Sequence, residues 1–411
     1  MTTTRHPSRP QEPESRRAPA AVVAVRRIFA AETPEFFLLL GTTIFLVAFG
    51  LVMVLSSSAI ESRVQDGDFF AKASRQGLYA LIGVPLMLIA ARAPSSFWKR
   101  WAWHAVIIAI AAQVLVVSTN LGFDNGYNRN WLRIGSFTAQ PSEVVKLALI
   151  IWLAKILTTK AHLLGEWKQV LIPIGPVALA GIGFVLVGND LGTAIILVAM
   201  VLGSLFYAGV RLRFIAAALA VISVLGLIAV QASDSRRERI DAWLGGCTDP
   251  SLFSSDCYQA VHGWEALASG GIFGVGLGNS TAKWSWLPEA DNDFIFAVIG
   301  EELGLVGAVL VLVLFVVLAI CFVRIVRMSR DPFAKIATSI AMVWIIGQAF
   351  VNIAVVLGVL PVLGVPLPLV SAGGSALITT LVAIGVVLSF ARTRPVAPEQ
   401  LPITRPGATR A

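Results

Sequence analysis

The sequence predicts an all-α integral membrane protein of about ten transmembrane helices, and three observations carry the prediction. Hydrophobic residues make up 56% of the 411-residue chain and charged residues only 14%, too little charge to cover a soluble surface of that size. Mean hydropathy is +0.79. The apolar residues also gather into long runs, and in lipid a helix is the form that satisfies the backbone of such a run.

Taken in order, residues 1–33 are rich in Arg, Pro, Ala and Glu without apolar periodicity and read as a disordered tail. The run 36–55 is long enough to span and reads as a signal anchor, since no cleavable pattern precedes it. Further runs lie at 78–91, 101–117, 144–157, 170–187, 191–210, 214–230, 294–323, 336–360 and 376–390. With flanking polar residues, each can supply the roughly 20 residues that a crossing needs. The membrane domain is thus 34–392, and 393–411 is a second tail.

Orientation follows from the connections. Arg92, Lys99 and Arg100, then Lys155, Lys160 and Lys168, then Arg211 and Arg213, then Arg324, Arg327, Arg330 and Lys335 share one side if the crossing count is even. The Arg-rich first tail, Arg392 and Arg394 join them, so both termini are expected in the cytoplasm. This is the plain source of the +8 net charge, which therefore does not point to nucleic acid. The longest connection, 231–293, then faces outward, before the eighth helix, and a connection of that length on a tight bundle is usually functional. Cys321 reads as a small core residue. Cys247 and Cys257 flank a polar stretch and are a disulfide in an oxidising space or two free thiols in a reducing one. No zinc or phosphate-loop pattern is present.

Four places carry polar residues that a purely structural bundle does not need. In the first, Arg129, Trp131 and Arg133 lead to Gln140-Pro141-Ser142-Glu143 and Lys146. Glu143 and Lys146 are three apart and share a helix face, as an internal salt bridge, a substrate contact or both. The second is Gly188-Asn189-Asp190-Leu191-Gly192-Thr193, where Asp190 is placed to cap the next helix. The third is the glycine-dense run 270–280, which suits a re-entrant or interfacial loop as well as a ligand loop. The fourth runs from Leu287-Pro288-Glu289-Ala290-Asp291-Asn292-Asp293 into an apolar helix bearing Glu301 and Glu302 two turns deeper. Carboxylates at that depth are costly unless paired or used. Asp293 at the helix start is either an N-cap or a working carboxylate.

These segments, with Pro366-Leu367-Pro368-Leu369-Val370-Ser371-Ala372-Gly373-Gly374-Ser375, resemble in order the signatures of the SEDS family (shape, elongation, division and sporulation) from about residue 35 to 392. The Leu-Pro-Glu-Ala loop and the long tail resemble the division branch, FtsW, more than the elongation branch, RodA. The resemblance implies a peptidoglycan glycosyltransferase of the bacterial cytoplasmic membrane, working on its outer face at the division septum. It implies lipid II as donor and acceptor, a class B penicillin-binding protein and other divisome proteins as partners, and membrane lipid around it. It also implies an essential aspartate at Asp293, and Glu143 and Lys146 in a central cavity.

The match has departures. The family often has His-Thr where this chain has Asp291-Asn292, Arg-Arg-Trp where it has Arg129-Asn130-Trp131, and Ser-Tyr-Gly-Gly where it has Ser371-Ala372-Gly373-Gly374. The expected chemistry is inversion at an anomeric carbon, with Asp293 as general base. Candidate substrate-binding residues are Glu143, Lys146, Arg129, Arg133, Asp190, Lys283 and Ser371, the cations among them offsetting pyrophosphate charge. No cofactor pattern is present, and a divalent cation is compatible with the reaction. By residue chemistry alone, a flippase for lipid-linked sugar and a non-catalytic division scaffold compete with the enzyme.

Overall fold

Helix-capping residues set the ends of the membrane body. The Thr33 side chain accepts the Phe36 amide, Pro34 fills the first turn, and α1 (Pro34–Asp66) continues until Gly67 adopts the left-handed conformation that stops it. A computed structural model of the chain describes residues 32–120, 122–123, 130–134, 137–231, 234–247, 257–284 and 287–392. After α1 come α2 (Ala71–Ala90), α3 (Ser95–Ser118), α4 (Pro141–Thr159), α5 (Trp167–Val187), α6 (Leu191–Tyr207) and α7 (Leu212–Gln231). Then follow α8 (Asp234–Leu244), α9 (Tyr258–Gly270), α10 (Ile295–Met328), α11 (Pro332–Val356) and α12 (Gly374–Ala391).

The architecture is an all-α membrane bundle. Among the described residues, seven helices (α1, α2, α3, α5, α10, α11 and α12) are long and apolar enough to cross a membrane. Two shorter apolar helices, Leu191–Tyr207 and Leu212–Ile228, join them. Beside them lies α4, a 19-residue helix that carries Glu143, Lys146 and Lys155. The most enclosed span is α11, which packs against α4, α6, α10 and α12. Close helix approach rests on small residues: Gly385 of α12 lies on the Met87 carbonyl and Ala90 of α2, where a Cβ would not fit.

One end of the bundle gathers the basic connections. Lys99 pairs with Asp331 at 2.7 Å, Arg211 lies against Gly165, and Arg392 pairs with Glu32 at 2.7 Å. Thr33 donates its hydroxyl to the Ala391 carbonyl at 2.8 Å, so the first and last spans meet there.

The structure differs from the sequence reading in four places, the least of them the end of α11, which stops at Val356 although the apolar run reaches 360. The connection 231–293 is not a plain loop: it contains α8 and α9, tied by a Cys247–Cys257 disulfide. The stretch before α4 forms a small antiparallel sheet, β1 (Gly122–Phe123), β2 (Trp131–Ile134) and β3 (Phe137–Ala139), in the order β1-β2-β3. Its strands are too short to show a period in sequence. Finally, α10 is broken at Gly304, whose φ of 66° and ψ of −164° leave the helical region.

The break in α10 is filled by main chain. Val275 and Gly276 donate their amides to the Glu301 and Glu302 carbonyls, each at 3.0 Å. In return Leu305 and Val306 donate to the carbonyls of Gly271 and Ile272, at 2.9 and 3.2 Å. The glycine-dense loop thus enters the helix break, with its backbone satisfied as lipid depth demands. A Cβ at Gly304 would overlap Gly274 and Ile272, so glycine is required by space as well as by its positive φ.

Candidate active site

Asp293 precedes the short half of α10 that ends at the Gly304 break. The N-cap of that helix is Phe294, and no side chain caps it, so Asp293 does not serve as a cap. The residue is half-buried, its Oδ1 is shielded from solvent, and that oxygen has no hydrogen-bond partner among the described residues. Burial, with the like charges of Glu289, Asp190 and Asp291 adding to it, pushes the carboxyl up to about 8. Gly364, at φ 67°, passes alongside: a Cβ there would stand 3.6 Å from Asp293 Oδ2.

The backbone under Asp293 is held at three successive carbonyls. The Ala372 amide donates to Asp291 O at 2.9 Å, the Ser371 hydroxyl to Asn292 O at 2.6 Å, and Asn352 Nδ2 to Asp293 O at 2.7 Å. Gln76 of α2 fixes the donor side of this arrangement, donating to Ser371 O at 3.1 Å and accepting the Gly373 amide at 3.2 Å. Lys72 anchors the outside, bridging Glu61 at 2.7 Å and Asp291 at 3.1 Å.

The other sequence-selected residues have the following places. Glu143 and Lys146 are fully buried and paired at 2.7 Å. Lys146 also donates to Gln348 Oε1 at 3.0 Å and stands 4.9 Å from the Trp344 ring centroid, so its charge is matched inside the protein. Asp190 caps α6 by accepting the Thr193 amide at 2.9 Å, and its second oxygen accepts Gln140 Nε2 at 2.8 Å. Burial pushes its carboxyl above the usual range. Ser371 is spent on the rail beneath Asp293, accepting the Leu367 amide at 2.8 Å as it donates to Asn292. Lys283 bonds the Gly278 carbonyl and reaches Glu302 at 3.4 Å. Arg133 is exposed on β2, opposite Thr138. Arg129 lies outside the described residues.

Sequence reasoning missed Gln348 and Asn352. They stand four apart on α11, hence on one face, and their only signal was a pair of amides inside an apolar run. Among the described residues, no group of three or more His, Cys, Asp and Glu side chains has a geometry that could hold a metal ion.

The chain matches the cell cycle protein family of FtsW, RodA and SpoVE over residues 37–395. It is 39% identical over 363 residues to the probable peptidoglycan glycosyltransferase FtsW of Mycobacterium tuberculosis, covering 88% of this chain and 69% of that one. It is 34% identical to stage V sporulation protein E of Bacillus subtilis, covering 88% and 98%. Among solved structures, a chain from work on the structural coordination of polymerization and crosslinking by a peptidoglycan synthase complex superposes with a TM-score of 0.70 at 26% identity, covering 86% of this chain and 96% of that one. Thermus thermophilus RodA shares the fold, at TM-score 0.65 and 23% identity, covering 89% and 98%. The chain therefore belongs to the FtsW/RodA/SpoVE family.

Proposed function

We propose that this protein is a peptidoglycan glycosyltransferase that polymerises lipid II into β-1,4-linked strands, with Asp293 as general base. The observation that carries the reading is the Asp293 carboxylate itself: its Oδ1 shielded and without a donor among the described residues, its side chain not used as a helix cap, and its proton affinity raised to about 8. A base works best when its proton affinity lies near the working pH. In the reaction, Asp293 takes the proton of the acceptor sugar's 4-hydroxyl as that oxygen attacks the anomeric carbon of the donor. The bond from that carbon to the lipid pyrophosphate breaks on the opposite face, giving inversion, and the lipid pyrophosphate leaves without a strong acid. Arg133 and Arg129, on the segment before α4, are the cations we assign to the leaving group. Lys146 and Lys283 already have buried partners, so their role is to hold the cavity wall.

The relatives' names support the activity, and the neighbour from a synthase complex supports a crosslinking partner of the class B penicillin-binding type. We place the site on the outer face of the cytoplasmic membrane, at the septum. The disulfide suits an oxidising space, and the basic connections gather at the far end. The transporter reading loses its support in the deep carboxylates. Both oxygens of Glu301 accept from Ser280, Thr281 and Ala282, and both of Glu302 from Ser56, with Lys283 on one.

The test is lipid II polymerisation by the purified protein with its partner. Asp293→Asn and Asp293→Ala are both expected to be inactive while folding normally. Wild-type polymerisation by Asp293→Asn would remove the base.

A further inference from the structure

We infer that Asn352 is a positioning residue for the Asp293 carboxylate: one buried amide on α11 ties the backbone of the base to the wall beside it. This rests on the reading of Asp293 as the base. Asn352 is 1% exposed. Its Nδ2 donates to Asp293 O and to Val365 O, each at 2.7 Å. One turn earlier on the same face, Gln348 Nε2 donates to Pro366 O at 2.9 Å. Ser371 Oγ takes the next main-chain group, the Leu367 amide, and passes its own proton to Asn292 O.

Two amides and one hydroxyl therefore hold the strip 365–367 and the carbonyls of residues 292 and 293 as one body. That strip follows Gly364, the residue alongside Asp293 Oδ2. The geometry between the backbone that carries the carboxylate and its wall is thus set by Asn352, the one of these three side chains that bonds the main-chain carbonyl of Asp293 itself. Its own Oδ1 is buried without a partner among the described residues. A buried acceptor left unpaired costs stability, so the amide at this position is better accounted for by the two bonds its Nδ2 makes than by packing alone. Gln348 extends the same frame to Lys146, whose ammonium bonds its Oε1.

The test uses the full-length protein co-purified with its penicillin-binding partner, with lipid II as substrate. Steady-state rates across pH and melting temperatures are compared for wild type, Asn352→Leu, Asn352→Gln, Asp293→Asn and the double variant Asn352→Leu/Asp293→Asn. Asn352→Leu is expected to lower kcat about tenfold to a hundredfold, leave KM for lipid II nearly unchanged, and displace the acid limb of the pH–rate profile. Asn352→Gln keeps the amide but moves it by one methylene, and should recover part of kcat. The double variant should be no slower than Asp293→Asn, because Asn352 acts through the base. Wild-type kcat and an unmoved limb in Asn352→Leu, beside an inactive Asp293→Asn, overturn the inference while leaving the base in place. A loss expressed only in KM overturns it too. If Asn352→Leu does not fold, Asn352→Gln decides: wild-type kcat and limb in that variant overturn the inference. An active Asp293→Asn instead removes the reading beneath it.

Discussion

Two sets of carboxylates on the same helix region face opposite fates. Glu301 and Glu302, deep in α10, are fully buried, and every oxygen accepts a bond from Ser, Thr, Lys or main chain. Asp293, about two turns before them in the chain, keeps an oxygen without a partner among the described residues. The deep pair does structural work: it fastens the glycine-dense loop and α1 across the break at Gly304. The outer carboxylate rides on the half-helix so fastened. What separates the two sets is hydrogen-bond saturation, and on the proposed function it is the unsaturated carboxylate that works.

The largest effect should fall on activity at the unsaturated member. Asp293→Asn should lose about 10²–10⁴-fold in polymerisation rate, the usual worth of a general base, with expression and melting retained. The saturated member should show the reverse. Glu301→Ala strands the donors of Ser280, Thr281 and Ala282 and should cost on the order of 3 kcal/mol of stability, read as a lower melting temperature in detergent. An equal loss of melting temperature in both variants would break the comparison.

The pH dependence sharpens it. With Asp293 raised to about 8, the polymerisation rate should climb about tenfold per pH unit up to that value and then level off. A profile already flat from pH 6 would mean that the carboxylate is ionised there. The smallest effect concerns stability. A raised carboxyl holds in the folded state a proton that the unfolded chain releases above its ordinary 3.8. Its contribution is therefore full below 3.8 and is lost as pH rises through about 8. Asp293→Asn removes this slope, so at pH 9 it should melt a few degrees above wild type, and at pH 4 alongside it.

The sequence disclosed the spans because apolar runs of that length have one outcome in lipid. It singled out Asp293 as an N-cap or a working carboxylate because a carboxylate before an apolar helix stands out, and only the resemblance to the family marked it as the candidate base. The break at Gly304 was hidden, since its partners are backbone groups of 271–276 and carry no side-chain signature. The end of α11 was misjudged for a related reason: the apolar run reaches 360, but Gly358, at φ 76°, turns the chain just after Val356. Lys146 was legible as a partner of Glu143 by spacing. Its bond to Gln348 depends on tertiary packing, and so does the grip of Asn352 on Asp293.

The contact between Glu32 and Arg392, with Thr33 on Ala391, also bears on how the chain is threaded. With its first and last spans touching, the membrane body is nearly a closed ring of sequence. A short linker from residue 392 to 32 should let the chain be circularly permuted, with new ends opened between Cys247 and Cys257. The disulfide would then bridge those new ends, so in a permutant of this kind oxidation restores the continuity that the cut removed.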